Sequence, residues 1–296
     1  MVTIIPEKIH SSEDFIHIEN IQEEEVDLIW LGQAGFALKF KHFLILIDPY
    51  LSDFLSKKYK GAIFPHTRLM EIPLNPYVLH NVDFYFSTHA HSDHMDPETL
   101  SVIADNNPNL KVIVPAAEIK EAISRGAKKF QITSVNDGDN ISLASGLNIT
   151  AIAASHEAIK VNGKGKHHFL GYILDLGGIK LYHSGDCIPY NELSKRLMEY
   201  EIDLALLPIN GRDKFRLTHG IAGNFTISEV LALCHDAGIK NLIVHHFGMF
   251  AYNTVRDDEL EQLKSKTSPS LHIIVPEIKV NYKIIKSKHK KMKNDF

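Results

Sequence analysis

THAHSDHMD, residues 88–96, lies between the apolar run VDFYFS at 82–87 and a helix start at Asp96 and Pro97. The run reads as a buried strand. Asp96 can cap the next helix and Pro97 fits its first turn, so the histidine cluster falls in a strand-to-helix loop. A loop held by a rigid scaffold can aim several side chains at one point. His89 and His91 alternate along extended chain and are side neighbours, while the turn redirects Asp93 and His94 toward an adjacent position. Three imidazoles and one carboxylate within six residues suit an apolar core poorly, because each needs a polar partner. Neutral imidazoles and an ionised carboxylate are natural ligands for Zn, Mn or Fe.

Outward from this loop, similar residues recur at the ends of other apolar runs. Asp48 ends LILID at 44–48, His156 follows NITAIAAS, Asp186 follows IKLYHSG, and His245 and His246 end NLIVHH. Singly, each has an ordinary reading: a turn cap, a surface imidazole, an SGD turn. Together they point to one site assembled from separated strand ends, with one member of the HH pair as a ligand and the other as an outer donor.

The remaining chain supplies the scaffold. LIWLGQAGFALKF suggests two short strands around Gly32 and Gly35, and further strands are expected at KVIVP, FQIT, LNITAIAA, FLGYILDL, IKLYHS, IDLALLP and LHIIVP. Helices are expected at AAEIKEAISRG, NELSKRLMEY, DDELEQLK and ISEVLALCHDAG, the last with Thr226 and Glu229 as a capping box. Residues 51–80, with prolines at 65, 73 and 76, read as an insertion over a core. Strands alternating with helices predict a layered α/β or α+β domain with two sheets.

Composition bounds the rest. The 296 residues are 44% apolar and 23% charged, with net charge -4, which excludes collagen-like and wholly disordered chains and gives no general attraction to nucleic acid. Cys187 and Cys234 stand in unrelated contexts, so no disulfide framework or zinc knuckle is indicated and a reducing compartment is expected. With no signal-peptide pattern and no apolar run near about 18 residues, a cytoplasmic protein without a membrane partner is expected. No Walker A or dinucleotide fingerprint occurs.

HAHSDH matches the HxHxDH signature of the metallo-β-lactamase-like hydrolases. LGQAGFALK at 31–39, LYHSGD at 181–186 and HHFGMF at 245–250 resemble the L-ascorbate-6-phosphate lactonase-like family. The resemblance runs from about residue 28 to residue 275 and implies a four-layer αββα sandwich with two divalent transition-metal ions, Mn or Zn, at one edge. It assigns His89, His91 and His156 to one ion and Asp93, His94 and His246 to the other, with Asp186 bridging. It also implies that Asp48 braces the metal-bearing loop and that His245 supports the site from behind.

Two such cations lower the pKa of a shared water and orient the hydroxide toward a carbonyl or phosphoryl centre. Asp186 and Asp93 are the expected catalytic carboxylates. The resemblance makes the substrate a small phosphorylated lactone or sugar-phosphate derivative; a phosphodiester, or a noncatalytic metal-binding role, is the alternative. Arg212, Lys214 and Arg216 are candidates for a phosphate clamp, and EAIKVNGKGKHH after Ser155 and His156 forms a second basic loop. Residues 1–278 are expected to form a single domain, possible as a homo-oligomer. Residues 279–296, with seven lysines and one acidic residue, are expected to be a basic tail and only weak evidence for nucleic acid.

Overall fold

Short apolar runs separated by turns build two sheets face to face. The computed structural model describes residues 2–19 and 21–287. In chain order the strands are β1 Val2–Lys8, β2 Glu25–Gly32, β3 Gly35–Phe40, β4 Phe43–Ile47, β5 Phe84–Phe86, β6 Lys111–Pro115, β7 Ile132–Val135, β8 Asn140–Ala144, β9 Leu147–Ala153, β10 Leu170–Leu176, β11 Ile179–His183, β12 Leu204–Pro208, β13 Asn241–His245, β14 His272–Ile274 and β15 Val280–Lys286. The helices are α1 Ser12–Ile16, α2 Phe54–Lys58, α3 Pro97–Asn106, α4 Ile119–Ser124, α5 Leu193–Tyr200, α6 Lys214–Thr218, α7 Ile227–Asp236 and α8 Asp257–Lys264.

One sheet has the order β1-β15-β2-β3-β4-β5-β6-β7 and the other β14-β13-β12-β11-β10-β9-β8. Each is antiparallel in one half and parallel in the other. Alternation sorts the side chains of the first sheet. Leu28, Trp30, Phe36 and Ile45 enter the core shared with the second sheet, whereas Ile29, Leu31, Ala37 and Leu46 pack with Phe15 of α1, Leu100 of α3 and Ala122 of α4. Helices α5, α7 and α8 bring Leu197, Val230 and Leu263 to the core that includes the second sheet. The result is the layered two-sheet sandwich of the metallo-β-lactamase fold. The Thr226–Glu229 capping box forms as expected.

The expected basic tail requires correction in its first part. Residues 280–286 form β15, inserted between β1 and β2. Val280, Tyr282 and Ile284 are buried on one face, a period-two pattern that the lysine count obscures. Two of the lysines are also committed: Lys279 pairs with Glu71 at 2.7 Å and Lys286 with Asp203 at 2.8 Å. Buried Asn281 donates to Asp27 at 2.7 Å, tying the strand to its neighbour. The part of the tail at 288–296 lies outside the described residues.

Strand direction positions the site. β4 and β5 are parallel, so Asp48 and the 88–96 loop leave the same edge of the first sheet. β11, β12 and β13 are parallel, and β9, antiparallel to β10 as β11 is, runs in the same sense. His156, Asp186 and His246 therefore follow strands that exit one edge of the second sheet.

Candidate metal centre

The 88–96 loop is fixed at both ends. Asp96 accepts from the Glu98 backbone at 3.2 Å, with Pro97 in the first turn of α3, as the sequence requires. Within the loop, the Met95 backbone N–H donates to the His91 carbonyl at 2.8 Å, and Ser87 Oγ donates to the His94 carbonyl at 3.1 Å. Across the sandwich, the 184–186 turn presses on Thr88. Gly185 lies at φ 60°, and a Cβ there would stand 2.7 Å from Thr88 Cβ, so both conformation and space demand glycine.

Two groups of side chains converge. One comprises His89, His91, His156 and Asp186, and the other Asp93, His94 and His246; within each, the available ligand atoms lie within 4.8 Å of one another. Asp186 joins them. Its Oδ1 is 3.3 Å from both His94 Nε2 and His246 Nε2, and its Oδ2 is 3.7 Å from His156 Nε2. His89 Nε2, His94 Nε2 and Asp186 Oδ1 are buried without a hydrogen-bond partner. Such convergent lone pairs are expensive among protein atoms alone. The donor set fits divalent transition metals, which imidazole nitrogen and carboxylate oxygen bind directly.

Asp48 supplies the support that the sequence suggested. Wholly buried, it receives the Thr88 N–H at 2.8 Å, the Thr88 hydroxyl at 2.6 Å and the His94 Nδ1–H at 2.6 Å. This leaves His94 Nε2 directed at Asp186, the arrangement that a carboxylate–histidine–metal series uses to fix the tautomer. Burial disfavours charge on His94, yet the carboxylates of Asp186, Asp48 and Asp93 outweigh it and hold the imidazole pKa well above its usual value. Burial likewise opposes ionisation of Asp186, but His246 and His94 hold that carboxyl well below the usual range.

Adjacent histidines at the end of β13 separate. His246 adopts φ 63° and turns into the second group, while His245 stays in the core, stacked on His183 at 4.9 Å. His183 receives the Gly185 N–H at 3.0 Å and lies 2.9 Å from the Ala34 carbonyl, supporting the turn that carries Asp186.

Gln33 escaped the sequence reading. It is wholly buried, and its Nε2 donates to Asp93 Oδ2 at 2.9 Å and stands 3.1 Å from His246 Nε2. A lone amide between Gly32 and Gly35 in an otherwise apolar hairpin was the available signal.

The centre opens into a cavity of about 770 Å³. The 51–80 insertion supplies Tyr59, Ile63, Phe64 and His66, facing Leu217 and His219 and, from the segment after β13, Phe250 and Tyr252. Phe64 meets Tyr252 at 5.1 Å and His219 at 5.6 Å, so the insertion and opposite wall form one aromatic surface.

The expected phosphate clamp does not face this space. Arg212 forms a bidentate pair with Glu229 at 2.5 and 2.6 Å; Arg216 binds Asp213, Asn253 and the Asn210 carbonyl; Lys214 is exposed. These contacts anchor α6 and leave the two guanidinium groups committed. The cavity cations are Lys58, Arg125 and Lys160, of which Arg125 is committed to Glu121 and the Met95 carbonyl. Lys58 reaches Ser92 Oγ at 3.3 Å and Lys160 lies 5.7 Å from the Phe169 ring centre; among the described residues neither forms an ion pair.

Residues 44–247 match the family described as "Beta-lactamase superfamily domain". The chain belongs to that superfamily. It is 27% identical over 256 residues to a metal-dependent hydrolase of Thermoplasma acidophilum, covering 86% of this chain and 97% of the relative. It is 25% identical over 199 residues to a Salmonella heidelberg protein named "Probable L-ascorbate-6-phosphate lactonase", covering 63% of this chain and 55% of that one. A metallo hydrolase structure from Ignicoccus hospitalis superposes with TM-score 0.64 at 22% identity, over 89% of this chain and 100% of that one, a likeness of fold. As a member of this superfamily with metal-dependent hydrolase homologues, the chain is a metal-dependent hydrolase whose His/Asp cluster is the candidate site. Among the described residues no helix is long and apolar enough to cross a membrane.

Proposed function

We propose that this superfamily member is a two-metal hydrolase acting on a small phosphorylated lactone or related sugar-phosphate derivative. The observation that carries the reading is the pair of donor groups joined by Asp186 at the floor of an aromatic-walled cavity. His89, His91 and His156 would hold one Mn or Zn ion, and Asp93, His94 and His246 the other. Bound ions would supply an activated water and stabilisation of developing oxyanion charge. Asp93, at the cavity wall, would orient the attacking water and accept its proton. Asp48 would keep His94 in the tautomer that presents Nε2.

The phosphate would be held by Lys58 and Lys160, point charges at the cavity wall that form no ion pair among the described residues. The lactonase-named relative supports the choice of carbonyl chemistry. The test is metal analysis of protein prepared without chelators, then comparison of phosphorylated lactones, unphosphorylated lactones and phosphodiesters. Two ions per chain and preference for the phosphorylated lactone are expected. Lys58→Ala and Lys160→Ala should each raise KM for that substrate roughly tenfold, the scale of one charge-assisted contact, and leave the unphosphorylated one unchanged. Metal content near zero would overturn the hydrolytic centre; phosphodiester cleavage without lactonase activity would overturn the substrate.

A further inference from the structure

Gln33 is placed too closely against the centre to be only a turn residue. Its backbone lies in the left-handed region at φ 51° and its carbonyl accepts both the Trp30 indole N–H at 3.0 Å and the His246 backbone N–H at 2.9 Å. These bonds fix the residue to the turn that delivers His246. Its amide end is less settled. Nε2 faces Asp93 Oδ2 and His246 Nε2, whereas Oε1 is buried with no hydrogen-bond partner. A buried amide with one end doubly engaged and the other orphaned is satisfied on one side alone.

The engaged side faces the atoms that the two-metal reading gives to the second ion. With a cation among those lone pairs, amide hydrogens directed at it would be repelled and a carbonyl oxygen attracted. The terminal amide torsion is soft, and a half-turn exchanges oxygen and nitrogen at nearly the same positions. We propose that Gln33 is a further metal-side residue, presenting Oε1 to the second position when that position holds a divalent ion and donating its N–H to Asp93 when it does not. The amide is thus an additional oxygen ligand and, in the metal-free protein, a placeholder that bridges Asp93 and His246. This inference rests on the two-metal reading.

Gln33→Glu and Gln33→Leu separate a metal-facing oxygen from an N–H donor. The glutamate retains an oxygen for a cation but puts a carboxylate against Asp93, while leucine removes both polar atoms at similar volume. Zn(II) is titrated into the full-length metal-free chain against a chromophoric chelator. Release from the loaded chain into excess chelator is also followed, so a variant need not fold without metal to be read. Wild type should take up two ions. Gln33→Leu should weaken the second by about tenfold or more, the scale seen when a supporting group is lost, and Gln33→Glu should bind it at least as tightly as wild type. A Gln33→Glu protein as weak as Gln33→Leu, or an unweakened Gln33→Leu protein, overturns this inference and leaves the two-metal reading standing. Wild type holding fewer than two ions overturns both.

Discussion

Asp48→Asn changes one atom behind the proposed second metal position. The Thr88 N–H must still be accepted, so the asparagine oxygen keeps the place of Oδ1 and its NH2 group takes that of Oδ2. That group now points a donor at His94 Nδ1, which lies 2.6 Å from the present oxygen. His94 must then accept through Nδ1, and its proton moves to Nε2, the atom directed at Asp186 and the second group. The ligand lone pair is thereby covered.

The lost bond is charge-assisted, short and wholly buried, a class worth about 1.5 to 3 kcal/mol. This agrees with the roughly 10- to 100-fold loss of metal affinity typical when a partner of a ligating histidine is changed. Asparagine also tolerates the φ of 45° at this position, so the fold should survive. Competition titration with Zn(II) should show the second ion weakened by that factor and the first changed less. An unchanged second affinity in a folded Asp48→Asn protein would refute the tautomer argument.

Asp186→Ala should strip metal from both groups and abolish turnover, because one carboxylate faces both; metal content equal to wild type would remove it from the shared role. His183→Ala should lower unfolding stability in urea by about 3 kcal/mol through an internal cavity and a lost partner for Gly185, with a smaller effect on metal content than Asp186→Ala. Arg216→Ala should loosen α6 and lower the melting temperature without a selective loss of activity on phosphorylated substrate, unlike the cavity lysines. Because the pKa of His94 is raised in the metal-free protein, that proton must leave on metal uptake. Second-ion affinity should therefore climb with pH, up to about tenfold per unit while His94 stays protonated, and isothermal titration should show a buffer-dependent heat; a pH-independent affinity would reject this.

The convergence of the two candidate donor groups is legible because their residues are costly in an apolar core. Polar side chains at the ends of apolar runs mark convergence, and HAHSDH compresses four of them into one loop. The phosphate clamp was misread because sequence charge does not reveal commitment. Glu229 serves the Thr226 capping box and also neutralises Arg212, and Asp213 caps α6 while binding Arg216. Likewise, the alternation of Val280, Tyr282 and Ile284 is obscured by Lys283 within it and Lys279 and Lys286 beside it, so a strand inside a sheet reads as a tail. Gln33 shows in the sequence only as a lone amide in an apolar hairpin, because its partners, Asp93 and His246, are 60 and 213 residues away.

The electrostatics of His94 explain why the two groups share a carboxylate. Its ring has two different neighbours: Asp48 receives the proton on Nδ1, and Asp186 faces Nε2 at 3.3 Å. The first contact lies in a fully buried network with Thr88, and no ligand need enter it. The second faces the cluster from which a cation would draw its ligands. Without metal, the carboxylates of Asp186, Asp48 and Asp93 crowd the ring and favour its charged form, which is why its pKa stands high despite burial. A divalent ion between the same atoms would neutralise those carboxylates more strongly and require the proton to leave. Asp186 also reaches toward His156, so on the two-metal reading proposed above a cation at one position would change the charge felt at the other, and the shared carboxylate would couple the two.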